Sequence, residues 1–165
     1  IIDTTAMKTE ELQEYLTSRF GAVDKKREMQ ITLFSFGFKY GIPIDADMVI
    51  DVRFLKNPFY IEKYKHWTGR VPEVARYISE SPVTEEFLSK LFDFMDFTVN
   101  RFRDAGKTQF TIAIGCTGGM HRSVFVTETL GNHLKEQHTH VNVEHRDLHR
   151  NRIEKDVDDL AEDKK

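Results

Sequence analysis

Cysteine is nearly missing from this 165-residue chain: Cys116 stands alone. One thiol excludes an internal disulfide framework and any cysteine-based structural zinc site, and it fits a reducing, cytoplasmic setting. No apolar run approaches the roughly 18 residues that would span a bilayer, and Ile1-Ile2-Asp3-Thr4-Thr5 offers neither a basic leader nor a signal-peptide core, so no membrane partner is expected. Excess charge of one sign is small too. A formal balance of -3 argues against an indiscriminate nucleic-acid binder while leaving room for local basic patches. There is no internal repeat, no low-complexity segment, no dinucleotide fingerprint and no GxxxxGK[ST] string, so no cofactor is implied.

What is present suffices for one well-filled core, since 39% of residues are hydrophobic and 12% aromatic. Leu12, Tyr15, Leu16 and Phe20 recur at helical spacing over residues 8–20. Met29 to Phe36 alternates as a strand does, and Met48 to Phe54 reads as a second strand that places Asp51 and Arg53 two apart on one face. Residues 55–70 carry Asn-Pro, Thr-Gly and scattered aromatics without a period, the pattern of an irregular, function-prone loop. A short helix is expected over 71–80. Ser81-Pro82 then signals a long helix to about Asp104, with Phe87, Leu88, Leu91, Phe94, Met95, Thr98, Val99 and Phe102 on one broad core-facing stripe. Phe110 to Gly115 is a continuously apolar, β-branched run of the kind buried in a parallel sheet. A helix follows from near Gly119, a short strand at Val141 to Val143, and charged helix after His145. Strand and helix alternate in this order, so the fold class is α/β: a small, mostly parallel four-stranded sheet flanked by helices, with an N-terminal linker helix. The expected division is 1–28 linker, 29–152 ligand-binding domain and 153–165 a solvated tail with six acids and three lysines.

The segment Gly115-Cys116-Thr117-Gly118-Gly119-Met120-His121-Arg122-Ser123 carries the chemistry. A buried parallel strand that runs through glycines into a helix aims backbone N–H groups and the positive helix end at one point, and anions collect there. Thr117 and Ser123 offer hydroxyls, His121 and Arg122 offer charge or hydrogen bonds, and Gly118 and Gly119 let a phosphate approach the backbone. The same string also satisfies C-x5-R-[ST], in which Cys116 would be a nucleophile, Arg122 would grip phosphate and Ser123 would assist the leaving thiolate. That phosphatase reading needs a general acid, for which Asp51 and Asp147 are the candidates. Histidines at 133, 138, 140, 145 and 149 mix helix, loop and strand and make no metal cage; of these His145, at the carboxyl edge, is a candidate pocket residue.

GCTGGMHRSV resembles the GCTGGxHRSV signature of the RapZ/YvcJ family, and residues 34–58, FSFGFKYGIPIDADMVIDVRFLKNP, resemble that family's SFGFKxGIPxDADxVxDVRFLxNP. Glu144-His145-Arg146-Asp147-Leu148 is similar to its terminal xHRxL segment, and the likeness extends from residue 1 to about 152. The resemblance implies an N-terminal P-loop ATPase or GTPase domain in full-length members, whose hydrolysis cannot reside in these residues. It also implies a C-terminal domain that senses glucosamine-6-phosphate or UDP-N-acetylglucosamine and in some members binds RNA and an endonuclease, with homo-oligomers expected at full length. Lys39, Asp51, Arg53, Asn57, Cys116, Thr117, Gly118, Gly119, His121, Arg122 and Ser123 match the family's pocket pattern. For Asp51 and Arg53 a structural ion pair is the competing reading, and for Lys39 a solvated loop lysine. Phe59 stands where some members have histidine. RNA-binding members end in a dense basic cluster, whereas here Arg146, Arg150 and Arg152 precede an acidic tail, which lowers the expectation of tight RNA binding.

Overall fold

The computed structural model describes residues 29–150 together with isolated positions between 7 and 18. Most of the linker-helix reading of 1–28 lies outside the described residues, and Arg152 and the tail over 153–165 lie entirely outside them.

Among the described residues, strands β1 (Gln30–Gly37) and β2 (Met48–Asp51) are followed by helices α1 (Pro72–Ser79) and α2 (Pro82–Asp104), then by strand β3 (Gln109–Cys116), helix α3 (Arg122–Lys135) and strand β4 (Val141–His145). The sheet runs β2-β3-β1-β4 and every pairing is parallel. The α/β class read from the sequence is the architecture observed. Register fixes what meets at the carboxyl edge: Gly37 lies opposite Cys116, Ser35 opposite His145, and Asp51 opposite Gly115. In an open parallel sheet this edge is where ligands bind, because the loops leading to the helices gather there.

Alternation sets the core. Ile31 and Leu33 of β1 and Phe110, Ile112 and Ile114 of β3 bury one face of the sheet, packed with Val126, Leu130 and Leu134 of α3, Met95 and Val99 of α2, and Val74 and Ile78 of α1. On the other face β3 carries small residues, and Gly115 is required there: a Cβ would stand 2.5 Å from the Phe36 ring and 2.6 Å from that of Phe38. Those two rings meet edge-on at 4.8 Å and close the sheet over the strand ends.

Three sequence expectations change at the boundaries. The strand expected over 48–54 stops at Asp51, because the Asp51 carboxylate accepts the Arg53 N–H (2.9 Å) and turns the chain away from the ladder. Arg53 is therefore a turn residue. The helix expected from Gly119 starts at Arg122, since Gly119 takes a left-handed backbone (φ 70°). The apolar stripe of α2 is narrower than its sequence suggested: Leu91, Met95 and Val99 are buried and Phe102 meets the buried Phe110 edge-on, but Phe94 faces outward. An outer-layer helix that packs on α1 and α3 buries about 100° of its surface, and the remaining aromatics stay on the rim.

Candidate functional site

Between Cys116 and Arg122 the chain makes a loop clamped from two sides. Gly37 lies so close that a Cβ on it would stand 2.7 Å from the Gly118 carbonyl carbon, and one on Gly69 would stand 2.1 Å from the His121 oxygen. Backbone bonds hold the same contacts, with the Lys39 N–H donating to Thr117 (3.2 Å) and the Gly69 N–H to Met120 (2.9 Å). The loop is thus built into place before any ligand arrives. The first bond of α3 joins the Phe125 N–H to the His121 carbonyl at 2.9 Å, which leaves the N–H groups of Arg122, Ser123 and Val124 without an acceptor inside the helix.

Arg122 occupies the first position of α3 and is 5% exposed. Its guanidinium donates to the Arg53 carbonyl, to the Leu55 carbonyl (3.3 Å) and to the Thr117 hydroxyl (3.3 Å), all of them uncharged. Its Nε–H is buried without an acceptor, and no ion pair among the described residues includes it. A buried charge is costly unless an opposite charge meets it. At this helix end no carboxylate of the described residues reaches the guanidinium, and Asp51 is near enough only for the Arg122 charge to help hold its carboxyl low.

The neighbouring side chains divide into ligand-facing and structural groups. His121 is buried, and its Nε2 lies 3.1 Å from the Tyr64 carbonyl. A carbonyl only accepts, so Nε2 carries the proton and the ring staples the 64–67 turn to the loop. Burial holds the His121 imidazole below its usual range, against the opposing pull of that carbonyl. It supplies position and a hydrogen bond rather than the charge considered from the sequence. Ser123 is fully buried, with its hydroxyl 3.1 Å from the Cys116 thiol.

A cleft of about 1120 Å³ opens over the loop. Of the residues singled out in the sequence, Lys39, Asn57, Cys116, Thr117, Gly118, His121, Arg122 and His145 line it. Four do not. Gly119 packs on Gly37, Ser123 lies beneath, and Asp51 and Arg53 form an exposed pair at 2.6 Å outside the lining. The hydrogen bond from Arg53 holds the Asp51 carboxyl below the usual carboxylate range. The sequence flagged the segment from Leu55 to Arg70 as function-prone without singling out Tyr60, Lys65, His66, Thr68 and Arg70, which supply much of one wall. Glu144, Leu148 and His149 complete the opposite side. Behind that side Ser35 Oγ meets His145 Nδ1 (2.7 Å), His145 Nε2 meets Glu128 (3.0 Å), and Glu128 accepts from Arg70 (2.5 Å). Burial pushes Glu128 up, but the bonds from His145 and Arg70 outweigh it and hold the carboxyl low.

Chemically the cleft is equipped to hold an anion more than to cleave one. Asp51 is engaged by Arg53, and Asp147 is wholly buried where it accepts from the Gly37 N–H (2.8 Å) and from Arg146 (2.9 Å). Neither carboxylate proposed as a general acid lines the cleft, and the one that does is Glu144. Arg150 lies 3.5 Å from the same Asp147, so Arg146 and Arg150 gather around a buried acid. Among the described residues no group of three or more His, Cys, Asp or Glu is placed to hold a metal ion, and no helix is long and apolar enough to cross a membrane.

The family model for the RapZ C-terminal domain matches residues 29–149, which include the loop, the 57–70 wall and His145. This chain belongs to that family. Relatives called nucleotide-binding protein include one from Caldicellulosiruptor saccharolyticus, 48% identical over 95% of this chain and 52% of its own length. Others come from Alkaliphilus oremlandii, 47% identical over 89% of this chain and 51% of the relative, and from Bacillus thuringiensis, 47% identical over 90% and 50%. The chain spans about half the length of the curated relatives it matches. In this RapZ C-terminal domain, Phe38, Lys39, Gly37 and Gly69 are therefore the scaffold of the signature loop, and Arg122 is its buried charge.

Proposed function

We propose that this domain is a metabolite sensor that binds a phosphorylated amino sugar, or the nucleotide derivative of one, and so reports on amino-sugar and cell-envelope precursor supply. The observation that carries the reading is Arg122: a guanidinium 5% exposed, at a helix start, on the wall of a cleft, with no carboxylate partner. A phosphate at the loop would receive backbone N–H groups, the Thr117 hydroxyl and the Arg122 guanidinium at once. Glu144, the single carboxylate among the lining residues, is suited to an ammonium. The walls also carry Lys39 and Lys65, which favour an anionic ligand over a neutral sugar, while Arg70 is already paired with Glu128. Binding without turnover fits Cys116, whose thiol is buried with its sulfur 3.1 Å from the Ser123 hydroxyl. Adapter contacts with RNA or protein would be a complementary role, and Arg146 and Arg150 are drawn to Asp147 rather than arrayed for a phosphate backbone.

Calorimetric titration with glucosamine-6-phosphate tests the reading. Saturable binding that Arg122→Met weakens at least about 10-fold is expected, from the loss of charge-assisted hydrogen bonds worth about 1.5–3 kcal/mol each. Absence of heat with both glucosamine-6-phosphate and UDP-N-acetylglucosamine would overturn it.

A further inference from the structure

His145 lines the cleft, yet neither of its ring nitrogens is left for a ligand. Nδ1 lies 2.7 Å from the fully buried Ser35 hydroxyl, and Nε2 lies 3.0 Å from the Glu128 carboxylate. Glu128 is held ionised and only accepts, so Nε2 carries a proton. The same Glu128 oxygen accepts from Arg70 Nε at 2.5 Å. A line of side chains thus runs from Ser35 on β1 through His145 at the end of β4 and Glu128 on α3 to Arg70 on the 57–70 wall.

The proton inventory of this line is open at one point. A hydroxyl both donates and accepts, so Ser35 gives its hydrogen to Nδ1 of a neutral ring or takes one from Nδ1 of an imidazolium. The ring can gain a charge without losing either contact, and histidine is the side chain whose charge changes between about pH 5 and 8. Arg70 and Glu128 cancel each other, which leaves the ring to set the net charge of the group. The other charges around it are Glu144 on its own strand and Arg146, which is tied to the buried Asp147 at 2.9 Å. Lys39, His66 and His149 stand elsewhere on the cleft walls, and burial holds His121 on the loop below its usual range.

The ring is also placed to act at a distance. Ser35 lies opposite His145 on one side and Ile114 on the other, so β1 alone separates the ring from the strand that ends at Cys116. With strands about 4.8 Å apart, ring and anion loop are on the order of 10 Å apart. Across a partly buried cleft, one unit charge at that distance changes the affinity of an anion by roughly 3- to 15-fold.

We infer that His145 is the wall of the anion site that takes up a proton, and that Glu128, outside the cleft, is the positioning residue that permits it by holding Nε2–H and cancelling Arg70. The inference rests on the anion-binding reading of the loop and adds a proton to it: His145 becomes imidazolium as an anion enters, and affinity rises as pH falls. Without the Glu128 carboxylate the ring would face the bare Arg70 charge and stay neutral.

Sulfate is the probe, because its charge is constant over this range whereas a phosphate ester titrates within it. Calorimetry on the chain at low salt, at about pH 6 and pH 8, gives the ratio of affinities, and buffers of low and high ionisation enthalpy count the protons taken up. Wild type is expected to bind sulfate roughly 3- to 15-fold more tightly at the lower pH, with a fraction of a proton taken up. His145→Gln should bring the ratio below about twofold, and Glu128→Gln, which keeps the shape and an acceptor for Nε2–H, should do the same. The proton count in wild type needs no variant and decides the matter even where a variant fails to fold. Sulfate binding without proton uptake, or a wild-type ratio in His145→Gln, overturns the inference and leaves the loop reading intact. A wild-type ratio in Glu128→Gln overturns the role given to Glu128. Failure of sulfate to bind at either pH overturns the loop reading and this inference together.

Discussion

Arg53 and Arg122 touch, since the Arg122 side chain donates to the Arg53 carbonyl, yet the two arginines have opposite circumstances. Arg53 has a half-exposed side chain, forks onto Asp51 with bonds of 2.6 to 3.0 Å, and lies over the Phe38 ring at 4.2 Å. Arg122 is buried, bonded only to neutral oxygens and left with an unsatisfied Nε–H. Their formal charges are identical. What separates a ligand-seeking arginine from a structural one is whether the fold brings a carboxylate into contact with it, and of these two it does so for Arg53.

The comparison breaks first if the loop does not depend on its clamp. Gly69→Ala would drive a methyl group to 2.1 Å from the His121 oxygen and 2.7 Å from the Phe125 nitrogen, both of them backbone atoms. A loss of at least about 3 kcal/mol is expected, read as a fall of roughly 10 °C in the melting temperature. A wild-type melting temperature would mean that the wall from 57 to 70 is not seated as described.

A smaller effect concerns the buried side of the same contrast. Because burial lowers the His121 value from the ordinary 6.5, the unfolded chain takes up a proton before the folded one does. This residue's contribution is complete above about pH 6.5 and is lost as pH falls below it, with a slope of at most about 1.4 kcal/mol per pH unit. Denaturant melts at pH 7.5 and 5.5 should show a loss of stability that His121→Gln reduces; an identical loss in the variant would mean that His121 is not held neutral.

The smallest effect belongs to the exposed pair. Arg53→Ala should cost about 0.2–1 kcal/mol, as surface ion pairs do, and should leave ligand affinity unchanged within error. A tenfold drop in affinity would return Asp51 and Arg53 to the site.

Much of this was legible in the chain itself. The apolar run of β3 followed by glycines announced both the buried parallel strand and the anion loop, because local conformation and ligand chemistry there demand the same residues. The spacing of Asp51 and Arg53 was legible too, but not its meaning. The side chain of Asp51 ended the strand by bonding the chain two residues on, and this removed the pair from the cleft. The 57–70 wall was recognisable only as irregular. Which of its side chains enter the cleft depends on Gly69 docking against His121, a tertiary contact without a sequence period. Phe94 misled for a related reason: helical spacing gives the width of an apolar stripe, not the number of neighbours available to cover it.

Thermal unfolding with inorganic phosphate titrated in tests the central claim most directly, since any ligand that binds the folded state alone raises the melting temperature with its concentration. The melting temperature should climb with phosphate in wild type and in Arg53→Ala and stay flat in Arg122→Met. An equal climb in Arg122→Met would contradict the assignment of the buried guanidinium, which no carboxylate contacts, as the centre of the site.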